Sequence, residues 1–143
     1  MELSPQKRVD LRASFARQSL MTTFEAELAE IAPGHVVIGA PIGPGARQQH
    51  GFGHAGLTFA LGDTAAGYAA LTLMPEGAEV LTAEIKINLL APARGQSLRA
   101  VGEVLKPGRR LIVVRAAVWA RDGDRETEIA ALQGTMVPVL AEA

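Results

Sequence analysis

At 143 residues the chain fits one domain of ordinary size, taken as 1–143, and it can bury a core without metals or disulfides. Lys plus Arg number 14 and Asp plus Glu 15, a net charge of -1, which argues against the basic stripe of a general nucleic-acid binder. There is no cysteine, so disulfides, thiolate metal sites and a cysteine nucleophile are excluded together.

Lys7, Arg8, Asp10, Arg12 and Arg17 interrupt any apolar stretch near the start, so residues 1–21 do not read as a signal peptide. Ser4-Pro5 is a helix-start signal, and Val9, Leu11, Phe15, Ala16 and Leu20 form an apolar stripe. Together they predict one short helix ending near Met21. Residues 23–31 and 36–42 read as strands around the turn Ala32-Pro33-Gly34, and residues 43–49 as a loop.

A long helix is expected from near Ala55 to near Met74, ahead of Pro75 and Gly77. Its one charge is Asp63. The length suffices to span a bilayer, but an acid at mid-span costs roughly 2.5–3.5 kcal/mol on insertion scales. The rest of the chain alternates like soluble sheet, so the run reads as a buried core helix in a cytoplasmic protein rather than a membrane span. Leu57, Leu61, Tyr68 and Leu71 share one face. Gly56, Phe59, Ala60, Ala66, Gly67 and Ala70 lie around Asp63 and are mostly small, which invites a close approach.

From residue 81 the period changes to two. Leu81, Ala83, Ile85, Ile87 and Leu89 form an apolar face, with Thr82, Glu84, Lys86 and Asn88 opposite. Turn signals at residues 92–95, 106–108 and 122–124 separate further strands over 97–105, 111–120 and 127–139. The sum is an α+β chain: a short helix, two strands, a long central helix and four strands in antiparallel hairpins. One sheet covers one side of that helix, so a second subunit is expected over the rest.

A buried acid is costly unless paired or hydrogen-bonded, and chemistry is one reason to carry it. Asp63 is therefore a candidate general base or nucleophile; the alternative is a carboxylate satisfied by Thr64 or a neighbouring strand. His50 and His54 have the spacing of a helical zinc pair, but Gly51 and Gly53 oppose helix there, and no metal is expected. His54 reads instead as a loop residue shaping the helix entry. Ala55 and Gly56 present backbone N–H groups at a helix N-terminus, where a developing oxyanion can sit. Lys106, Arg109 and Arg110 cluster at a hairpin that can bind phosphates, those of a nucleotide-bearing thiol included, or simply be solvated.

Between about Phe15 and Val139 the chain resembles the hotdog-fold acyl-CoA thioesterases of the phenylacetate-pathway (PaaI-like) type. The motif of that family is an Asn, a Gly, His-Gly-Gly and Leu-x-Asp-x-Ala. Here it becomes Gln48, Gly51, His54-Ala55-Gly56 and Leu61-Gly62-Asp63-Thr64-Ala65, with residues 81–93 and Gly108-Arg109 also similar.

The resemblance implies a hotdog fold, a long helix wrapped by an antiparallel sheet, and hydrolysis of an acyl-CoA thioester. It assigns Asp63 as general base or nucleophile, the Ala55 N–H as donor to the thioester carbonyl, Gln48 as a second holder of that carbonyl and Thr82 as the hydroxyl that positions water. No cofactor is implied beyond the CoA of the substrate. Sites at a dimer interface, and often a tetramer, follow from the same likeness. Two departures stand out: Gln48 replaces Asn, and Ala55 replaces the first Gly. Two rival readings remain: a hotdog dehydratase or hydratase using His54 with an acid, and a non-catalytic acyl-CoA binding module.

Overall fold

Ser4 accepts the Lys7 N–H at 3.1 Å and Pro5 opens the helix, so α1 runs Pro5–Ala16 in the computed structural model, which describes residues 2–140. The single N-terminal helix expected to reach Met21 is two. Gln18 is extended (φ -78°, ψ 102°), and a separate α2 spans Ser19–Thr23. The break has a cause in packing: it lets Phe15 and Met21 both turn into the core, and it aims Gln18 Nε2 at the Tyr68 hydroxyl, 3.1 Å away. The first strand therefore starts at Glu27 rather than at residue 23.

The remaining elements are β1 Glu27–Ala32, β2 His35–Pro41, a 3-10 turn Pro44–Ala46 within the expected loop, α3 Ala55–Leu71, β3 Glu79–Leu89, β4 Ser97–Pro107, β5 Ile112–Asp122 and β6 Arg125–Val139. The strands make one antiparallel sheet in the order β1-β2-β4-β5-β6-β3. The sheet curls around α3, the hotdog arrangement. No helix among the described residues is long and apolar enough to cross a membrane.

Two glycines set how closely α3 lies on the sheet. A Cβ on Gly102 of β4 would stand 2.3 Å from the Ala65 carbonyl, and one on Gly62 of α3 would meet Leu132 of β6 at 2.9 Å. Ala65, Ala66, Gly67, Ala69 and Ala70 are all buried. Much of the small-residue face expected to receive a second copy is thus spent on the chain's own sheet. The helix's C-terminal half is also screened by α1, where Phe15 packs edge-on to Tyr68 and Ser14 bonds the Tyr68 hydroxyl at 2.8 Å. What stays open is a stripe at helical spacing: Gly56, Phe59, Ala60, Asp63 and Thr64, each exposed or half-buried.

The two sheet edges differ. The carbonyls of Leu28 and Ile31 on β1 accept the guanidinium groups of Arg12 and Arg8 at 3.2 and 2.9 Å. On the other edge, β3 pairs only with β6. The clean alternation expected along β3 is interrupted, because a bulge at Ala83 shifts the register between Thr82 and Glu84. Before the bulge Val80 and Thr82 face α3; after it Ile85 and Ile87 are the half-buried residues. Leu81 and Leu89, expected on the covered face, are 58% and 57% exposed.

Candidate active site

The loop before α3 is tied down at both ends. Gln48 N donates to Phe52 O at 2.9 Å and Gly51 N to Gln48 O at 3.0 Å, with Gly51 at φ +89°. Gly53 N donates to Ala93 O at 2.8 Å, which stitches the loop to the β3–β4 connection. Gly53 has to be small there, since a Cβ would meet that of Ala93 at 3.0 Å. Arg94 lies over the Phe52 ring, 4.7 Å from its centroid.

This folding decides which way Gln48 points. Its Oε1 accepts the backbone N–H groups of His50 and Phe52, so the oxygen must face inward. The amide NH2 has no partner among the described residues, and Gln48 lines a cavity of about 550 Å³ together with Phe52, Ala55, Thr58, Leu90 and Ile129.

At the start of α3 the donors are shared out unequally. His54 is the N-cap, and its Nδ1 accepts Gly56 N–H at 2.8 Å. Leu57 and Thr58 N–H both go to His54 O. Ala55 N–H alone of these has no partner among the described residues, and Ala55 lines the cavity beside Gln48. Two free N–H groups were expected here; His54 takes the one on Gly56.

Asp63 is not buried in the single chain. It is half-exposed on the open stripe of α3, and its Oδ1 accepts the Thr82 hydroxyl at 2.7 Å. Thr82 also touches Met136 Sδ at 3.3 Å. The bulge at Ala83 turns Thr82 towards the helix and makes this contact possible. The second carboxylate oxygen of Asp63 makes no hydrogen bond among the described residues.

The expected site residues therefore form two groups. Gln48, Ala55 and the capping His54 stand at one end of α3; Asp63 and Thr82 lie further along it. Asp63 is eight residues beyond Ala55, a rise of about 12 Å. Lys106, Arg109 and Arg110 are exposed at the β4–β5 hairpin and do not line the cavity. Strand register puts that hairpin at the Asp63 end: Pro107 pairs with Ile112, Ile112 with Met136, and Met136 with Thr82. His50 is exposed, and no three His, Asp or Glu side chains among the described residues gather as a metal site. Phe52, Thr58, Leu90 and Ile129 were not singled out from sequence. Thr58 has a local signal, three residues past Ala55 on a helix; Leu90 and Ile129 come together only through strand pairing.

The Thioesterase superfamily model matches residues 50–127, more than half of the chain and the stretch that holds His54, Asp63 and Thr82. The chain belongs to the thioesterase superfamily. A thioesterase family protein from Silicibacter pomeroyi is 41% identical, with 94% of this chain and 99% of that one covered and a TM-score of 0.92. The BH2602 protein of Bacillus halodurans, solved with CoA, is 27% identical over 96% of this chain and 91% of its own, at a TM-score of 0.78. The E. coli PaaI protein of the phenylacetic acid degradation operon is 19% identical over 96% of each chain, at 0.84, a likeness of fold. No curated protein matches the chain. As a member of the thioesterase superfamily the chain is a thioester hydrolase, and its fold is the hotdog fold.

Proposed function

We propose that this thioesterase hydrolyses acyl-CoA esters in the cytoplasm at a site shared between two copies of the chain. The observation that carries this reading is the free Ala55 N–H beside the outward amide of Gln48. Both are donors fixed before substrate arrives, which is what a developing oxyanion needs. Asp63 draws a proton from water as it adds to the carbonyl, or attacks the carbonyl itself. Thr82 holds one Asp63 oxygen in place. On the first route the protonated Asp63 returns its proton to the CoA thiolate as the C–S bond breaks. On the second the thiolate leaves an anhydride on Asp63, water opens it to the free acid and the Asp63 carboxylate, and the proton released from that water goes to the thiolate. Carboxylate, donors and water suffice for this chemistry, so no metal or added cofactor takes part.

A carbonyl held by Ala55 cannot also touch Asp63 of the same helix, about 12 Å further on. A second chain supplies the missing half. If β3 pairs with its own copy across a two-fold axis, the Leu89 end of one strand meets the Thr82 end of the other. That brings the Gln48–Ala55 cavity of one protomer towards Asp63 and the basic hairpin of its partner, where Lys106, Arg109 and Arg110 receive the CoA phosphates. A tetramer is a further step, using the outer face of the sheet. That face holds a groove of about 1090 Å³ lined by Lys86, Arg99, Glu103, Arg115 and Trp119 among others.

The test is a panel of acyl-CoAs followed by free-thiol release, run beside enoyl-CoA hydration. Thiol release with turnover supports the reading. Hydration without it supports the dehydratase alternative, and binding without either supports the binding module.

A further inference from the structure

Two threonines among the described residues are almost wholly buried: Thr58 at 1% exposure and Thr72 at 5%. The chain treats them differently. The Thr72 hydroxyl accepts Gly34 N–H at 2.7 Å and donates to Ala69 O at 2.6 Å. The Thr58 hydroxyl has no hydrogen-bond partner among the described residues. Yet among the described residues no side-chain oxygen or nitrogen is both sealed off and unpartnered. The small residual exposure of Thr58 therefore lies on its hydroxyl, which opens into the cavity that holds Gln48 and Ala55.

Valine has the same shape and would satisfy the packing, so a hydroxyl kept here without a partner costs stability. Its position explains what it is for. Thr58 lies three residues beyond Ala55, about 4.5 Å along the axis, and helical side chains lean back towards the N-terminus. The hydroxyl thus sits within a few ångströms of the carbonyl that Ala55 would hold. Phe52, Leu90 and Ile129, which also line the cavity, offer no polar side chain.

We propose that Thr58 is a specificity residue that hydrogen-bonds an oxygen on the second or third carbon of the acyl group, so that the preferred substrates are hydroxy- or ketoacyl-CoAs over plain acyl-CoAs of equal length. The inference rests on the thioesterase reading above, with Ala55 and Gln48 at the carbonyl. A site built around a hydrogen bond discriminates against the analogue that lacks its partner.

The test is the ratio of kcat/KM for matched pairs, butyryl-CoA against its 2- and 3-hydroxy forms. In the unaltered protein the better hydroxy form should be preferred about five- to tenfold, the worth of one neutral hydrogen bond. Thr58→Val should bring that ratio to about one, and Thr58→Ser, which keeps the hydroxyl, should retain it. A ratio near one in the unaltered protein overturns the proposal, as does a ratio that survives in Thr58→Val. A uniform loss on all substrates also overturns it, since the hydroxyl would then serve the CoA arm or the fold. Silence of the unaltered protein on every acyl-CoA defeats the thioesterase reading instead, and is distinguishable from a lost ratio.

Discussion

The Thr82 hydroxyl donates to Asp63 Oδ1 at 2.7 Å, joining an edge strand to the open stripe of the central helix. One carboxylate oxygen is thereby fixed and the other left free. Asp63→Asn keeps the shape of the side chain and removes the base. Thioester hydrolysis should fall by about 10²–10⁴-fold, with the melting temperature within a few degrees of the parent. Near-normal kcat in the folded variant would rule Asp63 out.

Thr82→Val removes the only side-chain hydrogen bond to that carboxylate among the described residues. The acid remains but its orientation loosens, so kcat should drop roughly tenfold, the cost of about one hydrogen bond, with KM little changed. Thr82→Ser should restore most of the rate. A serine variant as slow as the valine one would count against a positioning role.

Gln48 offers a sharper test than truncation. Gln48→Glu can still accept the N–H groups of His50 and Phe52 and so keep the loop, but it puts an oxygen where the amide NH2 pointed. Loss of one oxyanion donor costs about 10²–10³-fold in kcat. A Gln48→Glu protein that hydrolyses acyl-CoA at the parent rate shows that the carbonyl is not held there.

These two lesions also test the shared site. Asp63→Asn and Gln48→Glu are each inactive alone, but a mixed dimer would have one site with both lesions and one with neither. After random exchange in equal amounts, roughly a quarter of the parent activity should return. Mixed dimers seen by mass with no activity regained would place the whole site in one chain.

How much of this was legible in sequence depends on the range of the signal. The capped start of α3, its apolar body and the period-two strands are local patterns, and they gave the fold class and the helix to within three residues at its C-terminal end. Asp63 stood out because a charge in an apolar run needs a reason. What failed was non-local. The break at Gln18 depends on Tyr68, 50 residues away. The bulge at Ala83 depends on Gly134 of β6, where a Cβ would meet Glu84 O at 2.3 Å. Asp63 was read as buried because it stands in an apolar run beside a small-residue face expected to meet a second copy; in the single chain much of that face goes to the sheet, and Asp63 stays on the open stripe.

Gly102 makes that packing testable. A methyl added there would press on the α3 backbone, at 2.3 Å from Ala65 O and 2.5 Å from Ala66 N. Gly102→Ala should destabilise the fold by about 1–3 kcal/mol, as overpacking does, read from the midpoint in urea with an unchanged slope. An unaltered midpoint would mean that α3 can lift off β4 freely.

The arginines over β1 bear on how far such a molecule can assemble. A sheet with two open edges can add copies without end, head to tail, and become a fibre. Arg8 and Arg12 occupy outward carbonyls of one edge, so only the β3 side remains available to another strand. If two copies pair through that side, as proposed, each would cover the other's opening and leave no edge to recruit a third by strand addition. In the assembly proposed above, the guanidinium groups of Arg8 and Arg12 would act as a stop on polymer growth at the β1 edge.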